Sequence, residues 1–240
     1  MTEMDNTFEE SNPVELEQLE ISSSNPSPGA SLAGGSEEIF RGLWASLFYS
    51  GRTTGKTVLI TTSARREGAS TIARGLALSG SGPSGGARVA LVDFNLHTPA
   101  LHTMLHLAQG PGLVEVLTGE CDIASAAQKV NEGLDVLTAG SVGQRSLDVL
   151  RSDAMESFFQ QLADTYDYVL VDSAAANHYP DAQVLSGVLK EVVLVVHSDL
   201  TPREAIAQAK RRIESGGGKL VGLVLNLRTF PIPNFLYRRV

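Results

Sequence analysis

The sequence predicts a doubly wound α/β domain, with a mostly parallel sheet and helices on both of its faces. Apolar runs rich in Val and Leu alternate with helical patterns from residue 57 onwards. Runs that are apolar on both faces are typical of parallel strands covered on both sides. In such domains, ligands bind at the carboxyl ends of the strands. The six predicted strands are Thr57–Thr62, Arg88–Phe94, Leu134–Ala139, Tyr168–Asp172, Glu191–His197 and Lys219–Asn226.

The first predicted strand leads into a tight polar loop and then a helical pattern, which is the layout of a phosphate-binding P-loop. The loop N–H groups and the positive end of the helix dipole would meet at one point. A complete P-loop, G-x-x-x-x-G-K-[ST], also needs a lysine for the β- and γ-phosphates and a hydroxyl for Mg²⁺. Aligned on Gly68 and Ser70, this sequence has Ser63 at the first glycine and Ala69 at the lysine. The hydroxyl is therefore kept and the positive charge is missing.

Two aspartates lie at the ends of other predicted strands. Asp93 closes the second strand and Asp172 closes the fourth. Carboxyl ends of parallel strands meet at one edge, so both carboxylates are expected to face the same crevice as Gly68. The alternative for either residue is that it caps the helix that follows its strand.

Residues 1–35 are predicted to be a disordered acidic tail, because Ser, Asn, Pro, Gly and Glu predominate there. Residues 1–38 hold nine acids and neither Lys nor Arg. Removing those nine from the 27 acids of the chain leaves 18 against 19 basic residues. The folded part is thus near neutral, which gives no electrostatic reason to expect nucleic acid as a partner. The single cysteine, Cys121, excludes an intrachain disulfide framework.

Residues 36–56 are predicted to form an N-terminal helix and a linker. Ser36 is a suitable N-cap, acids follow in the first turn, and apolar residues recur at helical spacing. The simplest interpretation is a helix packed on the main domain. We assign residues 57–228 to that domain and residues 229–240 to a C-terminal tail.

Several blocks, in this order, resemble the cytoplasmic kinase domain of the bacterial tyrosine kinases of capsule and exopolysaccharide synthesis (BY-kinases). This family is a branch of the deviant P-loop ATPases related to MinD and ParA. The blocks are Thr62-Ser63 through Glu67-Gly68-x-Ser70-Thr71, similar to the family's S-S-x-P-G-E-G-K-S-T; Leu91-Val-Asp93-Phe-Asn95-Leu96-His97-Thr98-Pro99-x-x-His102, similar to L-I-D-x-D-L-R-x-P-x-x-H; Tyr166 through Ser173; and Gly222-x-Val-Leu-Asn226.

The resemblance implies a set of site residues. In the family, the P-loop holds ATP and Mg²⁺, acids of the second-strand motif assist the metal and the attacking tyrosine, and the fourth-strand acid orders the Mg²⁺ shell. Asp93 is accordingly expected to be catalytic. The expected cofactor contacts are Arg65, Arg66, Glu67, Gly68, Ala69, Ser70, Thr71 and Asn226, and the expected metal residues are Ser70, Asp93 and Asp172.

The sequence also departs from the family pattern. Ala69 replaces the lysine, Asn95 replaces the second acid, and Arg65-Arg66 replace a Pro-Gly pair. Removing one transition-state contact of this kind costs on the order of 3 to 4 kcal/mol. Arginine binds phosphate bidentately, so Arg65 and Arg66 could restore part of the lost charge. In the C-terminal tail Tyr237 stands alone, where the family has a tyrosine cluster.

These features lead us to expect a catalytically degenerate BY-kinase-like protein, a pseudokinase that serves as a regulatory or scaffolding subunit of exopolysaccharide or capsule synthesis and export. One alternative is an active tyrosine kinase or slow ATPase in which Arg65 or Arg66 replaces the lysine. Another is a MinD-like or ParA-like positioning ATPase. ATP or ADP with Mg²⁺ is the expected cofactor, and an empty pocket is the competing expectation.

The expected partner is a membrane-anchored polysaccharide co-polymerase or a synthase. The chain itself is expected to be cytoplasmic, peripheral to the inner membrane through that partner and without direct membrane insertion. The family helix E-x-x-R-x-x-R, which docks into a neighbouring subunit, is matched by Glu38, Arg41 and then Trp44. A homo-oligomer, or association with an active family member, is expected through these residues.

Overall fold

A computed structural model describes residues 19–20, 34–82, 86–143, 149 and 154–228. Within them, eight strands form one sheet in the order β1-β8-β7-β2-β6-β3-β5-β4. All neighbouring strands are parallel except β4 and β5. The strands are β1 (Leu19–Glu20), β2 (Thr57–Thr62), β3 (Val89–Phe94), β4 (Gln128–Asn131), β5 (Leu134–Leu137), β6 (Tyr168–Ser173), β7 (Glu191–His197) and β8 (Lys219–Asn226).

Helices cover both faces of the sheet. They are α1 (Gly34–Phe48), α2 (Ala69–Ser81), α3 (Leu101–Met104), α4 (Leu113–Leu117), α5 (Ile123–Ala126), α6 (Met155–Thr165), α7 (Asp181–Leu189) and α8 (Arg203–Ser215). No helix among the described residues is long and apolar enough to span a bilayer. The doubly wound α/β fold predicted from the sequence is confirmed.

The six predicted strands are present, because their apolar side chains are buried on both faces of the sheet. On one face Leu59, Val92 and Val171 pack with helices α6 and α7. On the other, Val58, Leu91 and Leu170 pack with helices α1 and α2. Continuous apolar runs are therefore what this position in the sheet requires.

Helix α1 packs on α2 through two glycines of α2. The ring of Phe40 lies against Gly75, and the ring of Trp44 lies against Gly80. A Cβ at either glycine would come within 2.3 Å of the ring, so only glycine allows the two helices to approach this closely. The interpretation of α1 as a helix packed on the main domain is confirmed. The N-cap assignment to Ser36 is wrong, because the helix begins at Gly34.

Two short strands were absent from the predicted set. Strand β4 pairs antiparallel with β5 at the edge of the sheet, and its mixed burial leaves little apolar pattern to detect. Strand β1 lies inside the tail predicted to be disordered, where Leu19 and Glu20 pair with Val224 and Leu225 of β8. The rest of that tail and residues 229–240, with Tyr237, lie outside the described residues, so those expectations remain predictions.

Candidate functional site

The polar loop between β2 and α2 turns through two left-handed backbone positions. Arg66 has φ 66° and Gly68 has φ 96°. Glycine adopts such angles freely, but an arginine there carries a conformational cost of about 1 kcal/mol or more. Helix α2 then begins at Ala69, and its first backbone bond runs from the N–H of Ile72 to the carbonyl of Gly68 at 3.0 Å. The sequence therefore keeps the P-loop backbone although Arg66 has replaced a more permissive residue.

Glu67 stabilises this turn from beneath. Its buried carboxylate accepts hydrogen bonds from the Ser63 hydroxyl at 2.9 Å and from the Ala64 N–H at 2.8 Å. The hydroxyl of Thr201, from the loop after β7, donates to the same carboxylate. The prediction that Glu67 contacts a cofactor is therefore wrong for its side chain, because this carboxylate points inward and binds the loop.

Asn226, at the end of β8, also supports the loop. Its side-chain amide donates to the Glu67 carbonyl at 2.9 Å, and the residue is only 1% exposed. A Cβ at position 68 would lie 2.2 Å from that amide nitrogen, so Gly68 is required here for close packing as well as for its φ. The amide nitrogen of Asn226 thus has a structural role, and the cofactor contact predicted for this residue remains a prediction.

A cavity of about 390 Å³ opens above the loop at the carboxyl edge of the sheet. The P-loop and the start of α2 form one side, the loop after β3 forms the second, and the loop after β6 forms the third. Arg65 and Arg66 are exposed at its rim, and neither forms an ion pair with another described residue. The lining residues include Arg65, Arg66, Gly68, Ala69, Ser70, Thr71, Asn95, Thr98, Met104, Ser173 and Tyr179.

Asp172 lies behind the cavity with one oxygen free. The Ser70 hydroxyl donates to Oδ2 of Asp172 at 2.5 Å. The other oxygen, Oδ1, is buried and has no hydrogen-bond partner in the described part of the chain. Burial, and then repulsion from Asp93, hold the pKa of Asp172 well above its usual value.

Asp93 is the neighbour of Asp172 in the sheet, but both oxygens of its carboxylate accept backbone N–H groups. Oδ1 accepts the N–H of Asn95 at 3.2 Å, and Oδ2 accepts the N–H groups of Ala100 and Leu101 at 3.1 Å each. Burial raises the pKa of Asp93 to about 6, opposed by these hydrogen bonds. The catalytic and metal roles predicted for Asp93 disagree with this geometry. The alternative, that it caps the following helix, agrees with it.

The loop after β3 is joined to the loop after β6 by contacts that the sequence did not predict. The His97 ring stacks on Tyr179 with centroids 3.6 Å apart, and its Nε2 lies 3.1 Å from Oδ2 of the buried Asp181. Asn95 faces its own loop, where Oδ1 accepts the Thr98 N–H at 3.2 Å. Tyr179 thereby becomes a wall of the cavity. It follows β6 in a segment without periodicity, so no local pattern marks it.

The residues at the cavity can be tested against a nucleotide with Mg²⁺. The α2 N-terminus with Ser70 and Thr71 fits a phosphate, and the free Oδ1 of Asp172 fits a water of a magnesium shell. Ala69 stands at the first position of the helix, where a P-loop lysine would supply charge. The backbone of the loop therefore fits a nucleotide with Mg²⁺, but the positive charge of the P-loop lysine is missing.

Comparison with known proteins places the chain in a family. Over 172 residues it is 34% identical to tyrosine-protein kinase YwqD of Bacillus subtilis, a match that covers 71% of this chain and 72% of YwqD. The chain belongs to the bacterial tyrosine kinase family. The chain is also 25% identical over 192 residues to tyrosine-protein kinase CpsD of Streptococcus agalactiae, with 79% of this chain and 82% of CpsD covered. No family model matches the sequence.

Solved structures agree with this placement of the chain. The chimerical protein CapA2B2 has a TM-score of 0.74 and 29% identity, covering 80% of this chain and 85% of its own. The kinase domain of Escherichia coli tyrosine kinase ETK has a TM-score of 0.75 at 23% identity, covering 82% and 78%. MinD from Pyrococcus horikoshii, complexed with Mg-ADP, has a TM-score of 0.58 at 20% identity, covering 72% and 70%. The last two share the fold.

Helix α1 carries the three residues that the sequence resemblance matches to the family's docking helix. Glu38 is exposed, and Arg41 is exposed in an ion pair of 3.0 Å with Glu37. Trp44 is only 3% exposed, because its ring packs against Gly80, Phe48 and Tyr168. The prediction that Trp44 makes an apolar contact with another subunit is therefore wrong. The roles predicted for Glu38 and Arg41 remain predictions.

Proposed function

We propose that this chain is a catalytically degenerate bacterial tyrosine kinase that binds a nucleotide without transferring its phosphoryl group. The observation that carries the proposal is Ala69 at the first turn of α2, within a loop that keeps the backbone turn of a P-loop. Phosphoryl transfer depends on positive charge placed at the β/γ bridge. A methyl group at this position provides none, while the backbone N–H groups of the loop can still bind phosphate.

The second-strand motif supports the same conclusion. Asn95 brings no negative charge to a metal, and its oxygen is engaged with Thr98. Asp93 is engaged with three backbone N–H groups. The lysine is also absent, so two charged groups of the family pattern are replaced, by Ala69 and Asn95. Loss of one transition-state donor such as the lysine lowers the rate by on the order of 10²–10³.

A second candidate is an active kinase or slow ATPase that uses Arg65 or Arg66. The observation in its favour is that both arginines line the cavity and form no ion pair within the described residues. Guanidinium groups can bind phosphate oxygens bidentately, but a long flexible side chain at the rim is not fixed at the bridging oxygen as a P-loop lysine is. We therefore expect these residues to contribute affinity more than rate.

Calorimetry with ADP, with and without Mg²⁺, tests binding, and labelled ATP with Mg²⁺ tests turnover. We expect weak ADP binding, no turnover above the Asp172→Ala background, and ADP affinity at least about tenfold tighter in Ala69→Lys, because that variant restores a charged hydrogen bond. Arg65→Ala and Arg66→Ala should each weaken ADP binding. Arg211→Ala is the matched control, since Arg211 is exposed on α8 and does not line the cavity.

Either of two results would contradict the proposal. Turnover by the wild-type protein that disappears in Arg65→Ala or Asp172→Ala would establish the second candidate. Absence of ADP binding in the wild-type protein and in Ala69→Lys alike would show that the frame has lost its ligand.

The proposal includes a place in capsule or exopolysaccharide synthesis and export. Family membership supports a regulatory subunit that docks, at the cytoplasmic side of the inner membrane, on a membrane-anchored co-polymerase or synthase. The exposed residues Glu38 and Arg41 of α1 are available for self-association or for contact with an active family member. Cell fractionation tests this role: the chain should move from the membrane fraction to the soluble fraction when the co-polymerase gene is deleted. Retention in the membrane fraction would contradict it.

A further inference from the structure

The P-loop is joined to the loop after β7 by a chain of hydrogen bonds that neither the motif nor the proposed chemistry uses. Thr201 lies in that loop, between β7 and α8. Its hydroxyl donates to the Glu67 carboxylate and accepts the N–H of His197 at 2.9 Å. A single hydroxyl thus connects the end of β7 to the residue that holds the phosphate-binding turn.

Among the described residues of the turn, only Glu67 accepts hydrogen bonds from other residues both on its side chain and on its backbone carbonyl. Its carboxylate accepts hydrogen bonds from the Ser63 hydroxyl, the Ala64 N–H and the Thr201 hydroxyl. Its carbonyl accepts one from the side-chain amide of Asn226. The residues on either side of it, Arg66 and Gly68, both have a positive φ. A turn that contains a strained non-glycine residue persists only when its surroundings fix it. These contacts supply that restraint.

The restraint acts on the atoms that would bind phosphate. Gly68 immediately follows Glu67 and precedes the first residue of α2, so a rotation at Glu67 changes the direction of the loop N–H groups. The same turn carries Arg65 and Arg66, which line both the main cavity and a second cavity of about 290 Å³. The second cavity is also lined by Leu200, Thr201 and Pro202. The loop after β7 therefore lies where it can control how the two arginines are presented.

We infer that Thr201 is a positioning residue for the P-loop and that the loop after β7 sets the affinity of the phosphate site through Glu67. The inference rests on the proposed nucleotide site for its consequence in binding. Its structural part, the restraint of the turn, holds for the protein without a nucleotide. A conformational change of residues 197–202 would then be transmitted to the P-loop through the hydrogen bond from Thr201 to Glu67.

Hydrogen exchange on the nucleotide-free protein tests the restraint. The Ala64 N–H bonds to Glu67, so Thr201→Val should speed its exchange about tenfold, the effect expected when one hydrogen bond to a charged group is lost. Thr201→Ser keeps the hydroxyl and should restore wild-type exchange. Leu200→Ser is the matched control, because Leu200 is 73% exposed in the same loop and its side chain has no group that can hydrogen-bond to Glu67. Thr201→Ala provides a second variant in case the valine does not fold.

ADP titration of the same variants tests the consequence. Thr201→Val should weaken ADP affinity about tenfold, and Thr201→Ser and Leu200→Ser should match the wild type. Equal Ala64 exchange in Thr201→Val and wild type, or a Thr201→Ser variant as impaired as Thr201→Val, would overturn the inference. So would unchanged ADP affinity in Thr201→Val. If the wild-type protein binds no ADP, the proposed function fails, and the exchange measurement still decides the restraint.

Discussion

Asp93 and Asp172 are the same residue type, side by side on neighbouring strands, yet their carboxylates are used differently. Both side chains are fully buried, and the two residues are direct partners in the β3–β6 register. Asp93 accepts three backbone N–H groups from the loop that follows its strand. Asp172 accepts one hydroxyl, and its second oxygen has no partner among the described residues.

This difference separates a structural carboxylate from one that is available to a ligand. A buried carboxylate with a full set of donors stabilises the fold, because removing it leaves those donors unsatisfied. A buried carboxylate with a free oxygen costs stability, and such groups are concentrated at functional sites. Sequence position treats the two residues alike, since each closes an apolar strand. The hydrogen-bond partners distinguish them.

The largest effect is expected for Asp93→Asn. The substitution keeps the shape but places an NH₂ group against backbone N–H groups, either that of Asn95 or those of Ala100 and Leu101. Donors would face donors in a buried site, and we expect the free energy of unfolding to fall by about 2 to 4 kcal/mol. Urea denaturation of the wild type and the variant at pH 7.5, above the raised pKa of about 6 of Asp93, measures the difference.

Asp135→Asn is a suitable control for that measurement, because Asp135 is partly exposed on β5 and has a side-chain partner, the Tyr166 hydroxyl at 2.9 Å. It should change stability by less than about 1 kcal/mol. A similarly small effect for Asp93→Asn would show that the three backbone bonds do not hold the loop after β3.

Much of this arrangement follows from the sequence, and the limits are physical. Apolar runs specify the six long strands, and the order of strand, loop and helix specifies the P-loop at Gly68. Parallel strands bring Asp93 and Asp172 to one edge, as predicted. Burial on both faces is a property of each run by itself, so it can be inferred without knowledge of distant contacts.

The direction of individual side chains could not be predicted, because it depends on partners far away in the chain. Glu67 turns inward because Thr201, 134 positions later, offers a hydroxyl. Trp44 is buried because Gly80 leaves room for its ring. The strand β4 has no apolar alternation, since it lies at an edge of the sheet. Family motifs place residues near a site without fixing what each one contacts.

A second prediction concerns pH. The pKa of Asp93 is raised to about 6 in the folded protein from 3.8, and burial and repulsion from Asp93 hold the pKa of Asp172 well above its usual value. The unfolded chain therefore loses these protons at lower pH than the folded chain does. The contribution is fully present below about pH 4 and is lost as pH rises through 6, with a slope of up to about 1.4 kcal/mol per pH unit for each proton.

Urea denaturation at intervals from pH 4.5 to 7.5 measures how the unfolding free energy changes with pH. The variant Asp172→Asn shows how much of that change comes from the Asp93–Asp172 pair. That variant removes one raised carboxyl and the repulsion that acts on the other, so its stability should fall less over the same range. A wild type and variant with parallel pH dependence would contradict the assignment of the slope to this pair.

The smallest effect on stability is expected for Asp172→Asn itself, measured at pH 5, below the pH at which Asp93→Asn is measured. The raised pKa of Asp172 favours its protonated form, and an amide of the same shape can still accept the Ser70 hydroxyl. The unfolding free energy should therefore change by less than about 1 kcal/mol.

The same variant should lose the dependence of ADP affinity on Mg²⁺ at pH 7.5, because an amide brings no negative charge to a magnesium shell. Ser173→Ala, a change at the adjacent buried position that leaves the carboxylate in place, should keep that dependence. If Asp172→Asn destabilised the fold as much as Asp93→Asn, the two carboxylates would have the same structural role and the free oxygen of Asp172 would carry no functional meaning.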